Sequence, residues 1–172
     1  MRHKAARFPF HPDCGWKREE LERERERHET FGMRLDMSSI PIYEHLPNII
    51  YYGKSPERDR EIDLVCDMIR TAAAAGVDSL RYNTCILPID RTEQEEGRGG
   101  YMHTAFRLDK IPAEEQAQLS DAGRVTAEMH WERIEYLLER IVPVAEEYKV
   151  RLGNSQEEPP TPPGYKGVDK VL

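Results

Sequence analysis

The amino-acid sequence predicts an α/β fold: a parallel sheet with helices, amounting to about half of a closed β/α barrel. Three observations carry this. A unit of helix, glycine or short turn, strand and polar loop recurs three times along 172 residues. Alternating helices and strands imply parallel strands joined by crossovers. The loops after the second and third strands are long and rich in Pro, Gly, Arg and Glu, which is where an α/β enzyme places substrate contacts. A closed barrel takes eight such units and about 250 residues, so this chain has room for about half of one.

The elements follow in order. Residues 1–15 show no periodicity and contain two prolines, and are read as an N-terminal arm before a domain spanning 16–172. Glu19–Thr30 is almost all charge, with i,i+4 Glu/Arg pairs that suit a solvated helix. Gly32 ends it, and Met33–Met37 alternates like a strand. In the second unit Ser55-Pro56 opens a helix. Ile62, Val65, Cys66, Ile69, Ala72 and Ala73 form one apolar stripe, Gly76 sits just past its end, and Val77–Asn83 reads as a strand. In the third, Ser120 or Asp121 caps a long helix whose inner face is traced by Trp131, Ile134, Leu138, Ile141 and Ala145. Pro143 is expected to kink or split it. Val150–Asn154 is the strand that follows, running into a polar, acidic, proline-rich loop.

Composition bounds the function. Hydrophobic residues make up 38% and charged residues 33%, against averages of about 45–50% and about 25%, so the core is thin or completed by another surface. The net charge of −7 argues against a nucleic-acid partner, and the basic residues of Lys17–His28 alternate with glutamates. No apolar run of about 18 residues is present, so no membrane span is expected. The three cysteines, Cys14, Cys66 and Cys85, are widely spaced and form no CxxC pair, which suggests reduced thiols and a cytoplasmic location.

Three clusters could carry chemistry. The first is Arg81-Tyr82-Asn83, Asp90-Arg91-Thr92 and Gly97-Arg98-Gly99-Gly100. The Asn83 amide at a strand end can hydrogen-bond a hydroxyl, Arg91 offers a planar fork for a carboxylate, and the glycines allow close backbone approach. Composition alone favours a solvated surface loop there. The second is Asn154-Ser155-Gln156-Glu157-Glu158, whose carboxylates could hold a metal or act as a base; spacing alone favours a solvated turn. The third, Pro159-Pro160-Thr161-Pro162-Pro163-Gly164-Tyr165, fits a polyproline segment or a stiff loop. The histidines show no ligand spacing. His11-Pro12-Asp13 sits in the arm with nothing paired to it, His103 lies in the glycine-rich loop, and His130 adjoins Trp131 as a packing or surface residue.

At these residues the chain resembles the mannonate dehydratase family, whose fold is a TIM barrel of the xylose-isomerase-like kind. The resembling segments are Arg58–Ile62, Tyr82-Asn83, Arg91-Thr92, Gly97–Gly100 with Thr104–Phe106, Trp131–Arg133, Pro143–Glu147 and Pro159–Val168. The match runs from about Trp16 to Leu172.

The resemblance implies a hydro-lyase that dehydrates D-mannonate to 2-keto-3-deoxy-D-gluconate in glucuronate catabolism. It implies Mn²⁺ or Fe²⁺ as a Lewis acid for the developing enediolate. Carried over by position, Tyr82, Asn83, Arg91 and Arg98 belong to a common sugar-acid mouth over which the Gly97–Gly100 loop closes. Ser155 occupies the place of the family's metal-binding histidine, Gln156 that of the next proline, and Glu158 that of its aspartate. The family's other ligands, a cysteine, a histidine and an acidic residue, belong to positions past Leu172. The opening strand reads as short or missing. A homo-oligomer or a complementing chain is the expected macromolecular partner, because a half-barrel leaves two strand edges unpaired. A non-catalytic fragment or a sugar-acid-binding subunit without the metal is the alternative, and a proline-rich interaction module a weaker one.

Overall fold

The computed structural model describes residues 2–88, 90–155 and 160–171, with side chains from residue 4 onward. The principal sheet has four strands: β1 (Arg2–Ala6), β2 (Met33–Ser39), β3 (Ser79–Asn83) and β6 (Arg151–Ser155). Their order is β1-β2-β3-β6 and every pairing is parallel. Strands that follow chain order without reversal are wound in one direction, as in a barrel, rather than outward from a switch point.

β1 lies within the segment that the sequence places in an arm, so the opening strand is present. Five residues with one bulge in the register, at Lys4/Ala5, are too few to show alternation. Between the strands run α1 (Arg18–Thr30), α3 (Pro56–Ala74) and α5 (Ala127–Tyr148). α3 packs between α1 and α5, and the core lies between this helix layer and one face of the sheet. Leu35, Leu80, Ile62, Val65, Met68, Ile69, Leu137 and Ile141 are all buried there.

Local chemistry explains the helix limits. Ser55 Oγ accepts the Arg58 amide at 3.1 Å, with Pro56 in the first turn of α3. Gly76 (φ +78°) supplies the left-handed residue that ends it. α5 is capped by Thr126, not by Ser120 or Asp121, its side chain accepting the Met129 amide at 3.3 Å. Pro143 does not split α5. The Glu139 carbonyl it leaves without a helical partner belongs to an exposed residue, which lowers the cost of the missing bond.

The buried face of α5 is His130, Arg133, Ile134, Leu137, Ile141 and Ala145. Trp131 is 42% exposed. The face is therefore turned by about one residue from the apolar stripe, because two polar side chains with fixed partners belong to it.

The N-terminal ends of the strands are reached through short turns: Phe31-Gly32, residues 75–78, and Lys149-Val150. The C-terminal ends open into long segments. These hold α2 (Ile42–His45), a π-turn at Asn48–Tyr52, an antiparallel hairpin of β4 (Glu93–Glu96) and β5 (Met102–Ala105), and α4 (Ala113–Ala117). Among the described residues, no helix is long and apolar enough to cross a membrane.

An ion network closes the N-terminal end of the sheet. Arg34 bonds Asp36 at 2.8 Å and Asp78 at 3.1 Å, and Arg151 reaches Asp78 at 3.3 Å. Partial burial pushes the Asp78 carboxyl up, but bonds from Ser79 and Arg151 and the charges of Arg151 and Arg34 outweigh it and hold the pKa below its ordinary 3.8. A depressed carboxylate stabilises the fold above the unfolded value and loses that contribution as pH falls through the folded one. Asp78→Asn is expected to lower the urea midpoint at pH 6 by under about 1 kcal/mol equivalent, since the pairs are solvent-exposed. The gap from wild type should shrink at pH 3; a gap that persists there would show that charge is not its source.

Candidate functional site at the C-terminal ends of the strands

Two features belong to the loop-bearing end. The first is the face of the sheet turned away from the helices. In β3, Leu80 and Tyr82 are buried on the helix side, whereas Ser79, Arg81 and Asn83 alternate to the opposite, inner face. Parallel register places Ser39 beside Arg81, Arg81 beside Gly153, and Asn83 beside Ser155. Arg81 Nε donates to Ser39 Oγ at 3.2 Å. Asn83 Oδ1 is buried and has no hydrogen-bond partner among the described residues. A buried amide oxygen without a donor costs about 1–3 kcal/mol, so it marks a position where a ligand hydroxyl or ordered water is wanted.

The second is a cavity of about 360 Å³ walled by Tyr43, Tyr51, Ile86, Pro88, Gln118–Asp121 and Lys166. These residues come from the loops after β2, β3 and β6, so the cavity lies at the C-terminal end. Its walls are held from below. Glu61 of α3 accepts the Asn48 amide at 2.8 Å, the Asn48 side chain at 2.6 Å and the Ile49 amide at 3.2 Å. Arg133 of α5 donates to the carbonyls of Ile50 and Tyr51 at 2.6 and 2.7 Å. Burial, then a hydrogen bond with Tyr43, pushes the Tyr51 phenol far up, so the Tyr51 ring stays neutral.

Beside the cavity-lining Lys166, Asp90 accepts Tyr165 Oη at 3.0 Å and Lys166 Nζ at 2.9 Å. The Asp90 bond and charge raise the Lys166 pKa against the effect of burial, and its ammonium stays charged.

The segment carrying Lys166 is clasped onto residues 116–125: Ser120 N donates to Lys166 O, Val125 N to Gly167 O, and Asp169 N to Val125 O. Gly167 has φ +82°, and a Cβ there would come within 3.1 Å of the Gly123 carbonyl and 2.4 Å of Leu119. Gly167→Ala should therefore cost about 1–2 kcal/mol from backbone handedness alone. The accompanying sign is faster hydrogen exchange at the Val125 and Asp169 amides. Unchanged exchange there would show that the clasp is independent of this turn.

The sequence-predicted residues do not all meet. Tyr82 and Asn83 are neighbours on one strand and necessarily face opposite sides, so only Asn83 reaches the inner face; Tyr82 is core, 8% exposed. Arg91 is at the foot of the hairpin, bonding Thr104 Oγ1 at 3.3 Å and the Asp90 carbonyl at 3.0 Å. Arg98 is exposed at the hairpin tip, where Gly99 and Gly100 take positive φ to make the turn. The Gly97–Gly100 segment is this tip and does not line the cavity.

His103 is on the exposed β5. His11 pairs with Glu20 at 2.9 Å, and His130 is buried, its Nε2 3.1 Å from the Thr84 carbonyl. Residues 156–159, and with them the Glu157 and Glu158 candidates, lie outside the described residues. Arg81, Tyr43, Tyr51 and Lys166 are the site residues the sequence did not single out for roles; only strand alternation plus the register could have placed Arg81.

The metal implied by the resemblance has to be tested against the donors present. At the ends of β3 and β6 these are an amide and a hydroxyl, Asn83 and Ser155, which are weak ligands for Mn²⁺ or Fe²⁺ where the family uses imidazole. Among the described residues no group of three or more His, Cys, Asp or Glu side chains could hold a metal ion. The described set does not fit the metal.

The D-mannonate dehydratase (UxuA) family model matches residues 107–172. That stretch contains α5, β6 and the clasped cavity wall. Mannonate dehydratase of Streptococcus uberis is 28% identical over 170 residues, covering 84% of this chain and 47% of that protein. The chain is similar in sequence to mannonate dehydratases. Mannonate dehydratase of Shouchella clausii is 24% identical over 177 residues, covering 84% of the chain and 48% of that protein. The crystal structure of mannonate dehydratase from Streptococcus suis serotype 2 superposes with a TM-score of 0.70 at 20% identity, over 90% of this chain and 46% of that one; this likeness bears on the fold. The chain thus spans about half the length of the mannonate dehydratases it matches, and its four parallel strands, in sheet order β1-β2-β3-β6, are consistent with part of a β/α barrel.

Proposed function

We propose that this chain serves the chemistry of the mannonate dehydratases, loss of water from D-mannonate to give a 2-keto-3-deoxy acid, and that its part in it is to bind the sugar acid. The observation that carries the reading is the buried, unpartnered Asn83 Oδ1 beside Ser155 at the C-terminal ends of adjacent parallel strands. Asn83 accepts a substrate hydroxyl, and Ser155 can donate to or accept from the next one. The loops that wall the cavity cover the same end. In the relatives' reaction a divalent metal would supply Lewis-acid stabilisation; the described donors here bind and orient and hold no metal.

The test is direct. Purified protein is incubated with D-mannonate, with and without Mn²⁺, and the product assayed as a 2-keto-3-deoxy acid, beside calorimetric titration of D-mannonate. The proposal expects saturable binding that Asn83→Ala weakens at least about fivefold, about 1 kcal/mol for one hydrogen bond. Neither turnover nor binding would sink it.

A further inference from the structure

We propose that Arg81 is the carboxylate-binding residue of this protein, holding the acid end of a polyhydroxy monocarboxylate against the inner face of the sheet. The inference rests on the sugar-acid reading above and assigns its anion site.

Charge on the sheet is the first argument. Asp36 and Asp78, at the N-terminal end, are matched by Arg34 and Arg151. Arg81 stands closer to the C-terminal end, and its bond goes through Nε to a neutral hydroxyl, Ser39 Oγ. Its two terminal nitrogens have no carboxylate or other hydrogen-bond partner among the described residues. Ser39 thus fixes one edge of a planar guanidinium. The terminal fork is left for an incoming carboxylate, the geometry in which arginine binds such groups best.

Space is the second. Gly153 lies beside Arg81 across the β3–β6 pairing. Its φ is not left-handed, and a Cβ there would meet nothing within 4 Å. Neither backbone nor packing requires glycine at this position. Glycine inside a strand weakens it, and often marks close approach of a ligand. Here it leaves the flank of the guanidinium open.

Spacing is the third. Asn83 and Ser155 lie two residues further along the same face, about 6.6 Å by strand rise. A carboxylate on Arg81 therefore extends its hydroxyl-bearing carbons toward the unpartnered Asn83 Oδ1. One guanidinium and one amide acceptor, on one face, select an anion with hydroxyls over either feature alone.

The experiment titrates the full chain with D-mannonate, with the neutral polyol D-mannitol, and with D-lactate as a minimal monocarboxylate. Wild type should bind D-mannonate at least tenfold more tightly than D-mannitol. Arg81→Met should erase that preference, Arg81→Lys should keep part of it, and Gly153→Val should weaken D-mannonate at least fivefold. Far-UV circular dichroism checks the fold, and Gly153→Val decides if Arg81→Met does not fold. D-mannonate binding within twofold of wild type in both folded variants overturns the Arg81 assignment and leaves the sugar-acid reading standing. Arg81-dependent binding of D-lactate without binding of D-mannonate overturns the sugar-acid reading and leaves Arg81 as an anion site. A wild type that binds no carboxylate overturns the assignment.

Discussion

Glu132→Leu is expected to destabilise the fold by about 3 kcal/mol, although Glu132 is a half-exposed helix residue. Its carboxylate accepts both bonds from Arg58 Nη1, at 3.2 Å each, and the Arg58 side chain is fully buried. Arg58 Nε and Nη2 already lack partners among the described residues. The guanidinium lies 3.7 Å over the Tyr136 ring, which compensates in part. Burial lowers the pKa of Arg133, Glu132 supports its charge, and Arg58 opposes it. One carboxylate therefore bonds one buried cation and supports the charge of a second, and removing it takes a counter-charge from both. Urea unfolding with an unchanged m-value would report the loss, and Arg58→Met in the Glu132→Leu background should recover much of it. A loss under 1 kcal/mol, typical of a surface pair, would show that Arg58 is solvated in solution.

Arg133→Met should cost about 3 kcal/mol and also loosen the cavity wall. The substitution keeps most of the buried stem but leaves the Ile50 and Tyr51 carbonyls without their donor, at about 1–3 kcal/mol for each buried group left unpaired. Hydrogen exchange over residues 48–53 should accelerate more than exchange in β3, and D-mannonate affinity should fall with it. Uniform acceleration across the sheet would show instead that Arg133 acts on global stability and not on this turn.

These two arginines show why the sequence was legible where it was. The apolar stripe of α3 is read correctly because it is nearly all aliphatic, and Ser55-Pro56 and Gly76 mark its ends with unambiguous chemistry. Trp131 misleads in α5: an aromatic at helical spacing outweighs His130 and Arg133, whose burial depends on acceptors 46 to 83 residues away in the chain. Hydrophobic periodicity does not register a polar group satisfied at long range. Likewise Arg58–Ile62 and Trp131–Arg133, quoted as segments of family resemblance, include Arg58, Glu61, Glu132 and Arg133, which hold α3, α5 and the Tyr51 turn together.

The site was half legible. Asn83 at a strand end follows from local pattern, and the parallel sheet makes its position useful. Tyr82 cannot share that face, by the two-residue period of a strand. Arg91 and Arg98 could be put near a mouth only while the Gly97–Gly100 segment was a loop. Paired strands on either side, Glu93–Glu96 and Met102–Ala105, carry it out to a hairpin tip instead. Arg81 needed the β2–β3–β6 register, which no local pattern contains.

The account's central claim is that a sugar acid binds on the inner face at the C-terminal ends of the parallel strands. Backbone amide chemical-shift mapping during titration with D-mannonate tests it most directly. The largest saturable shifts are predicted at Ser39, Arg81, Asn83 and Gly153–Ser155, with little change at Arg34, Asp78 and Arg151. Shifts centred on those three N-terminal-end residues, or on the Gly97–Gly100 hairpin tip, would contradict it.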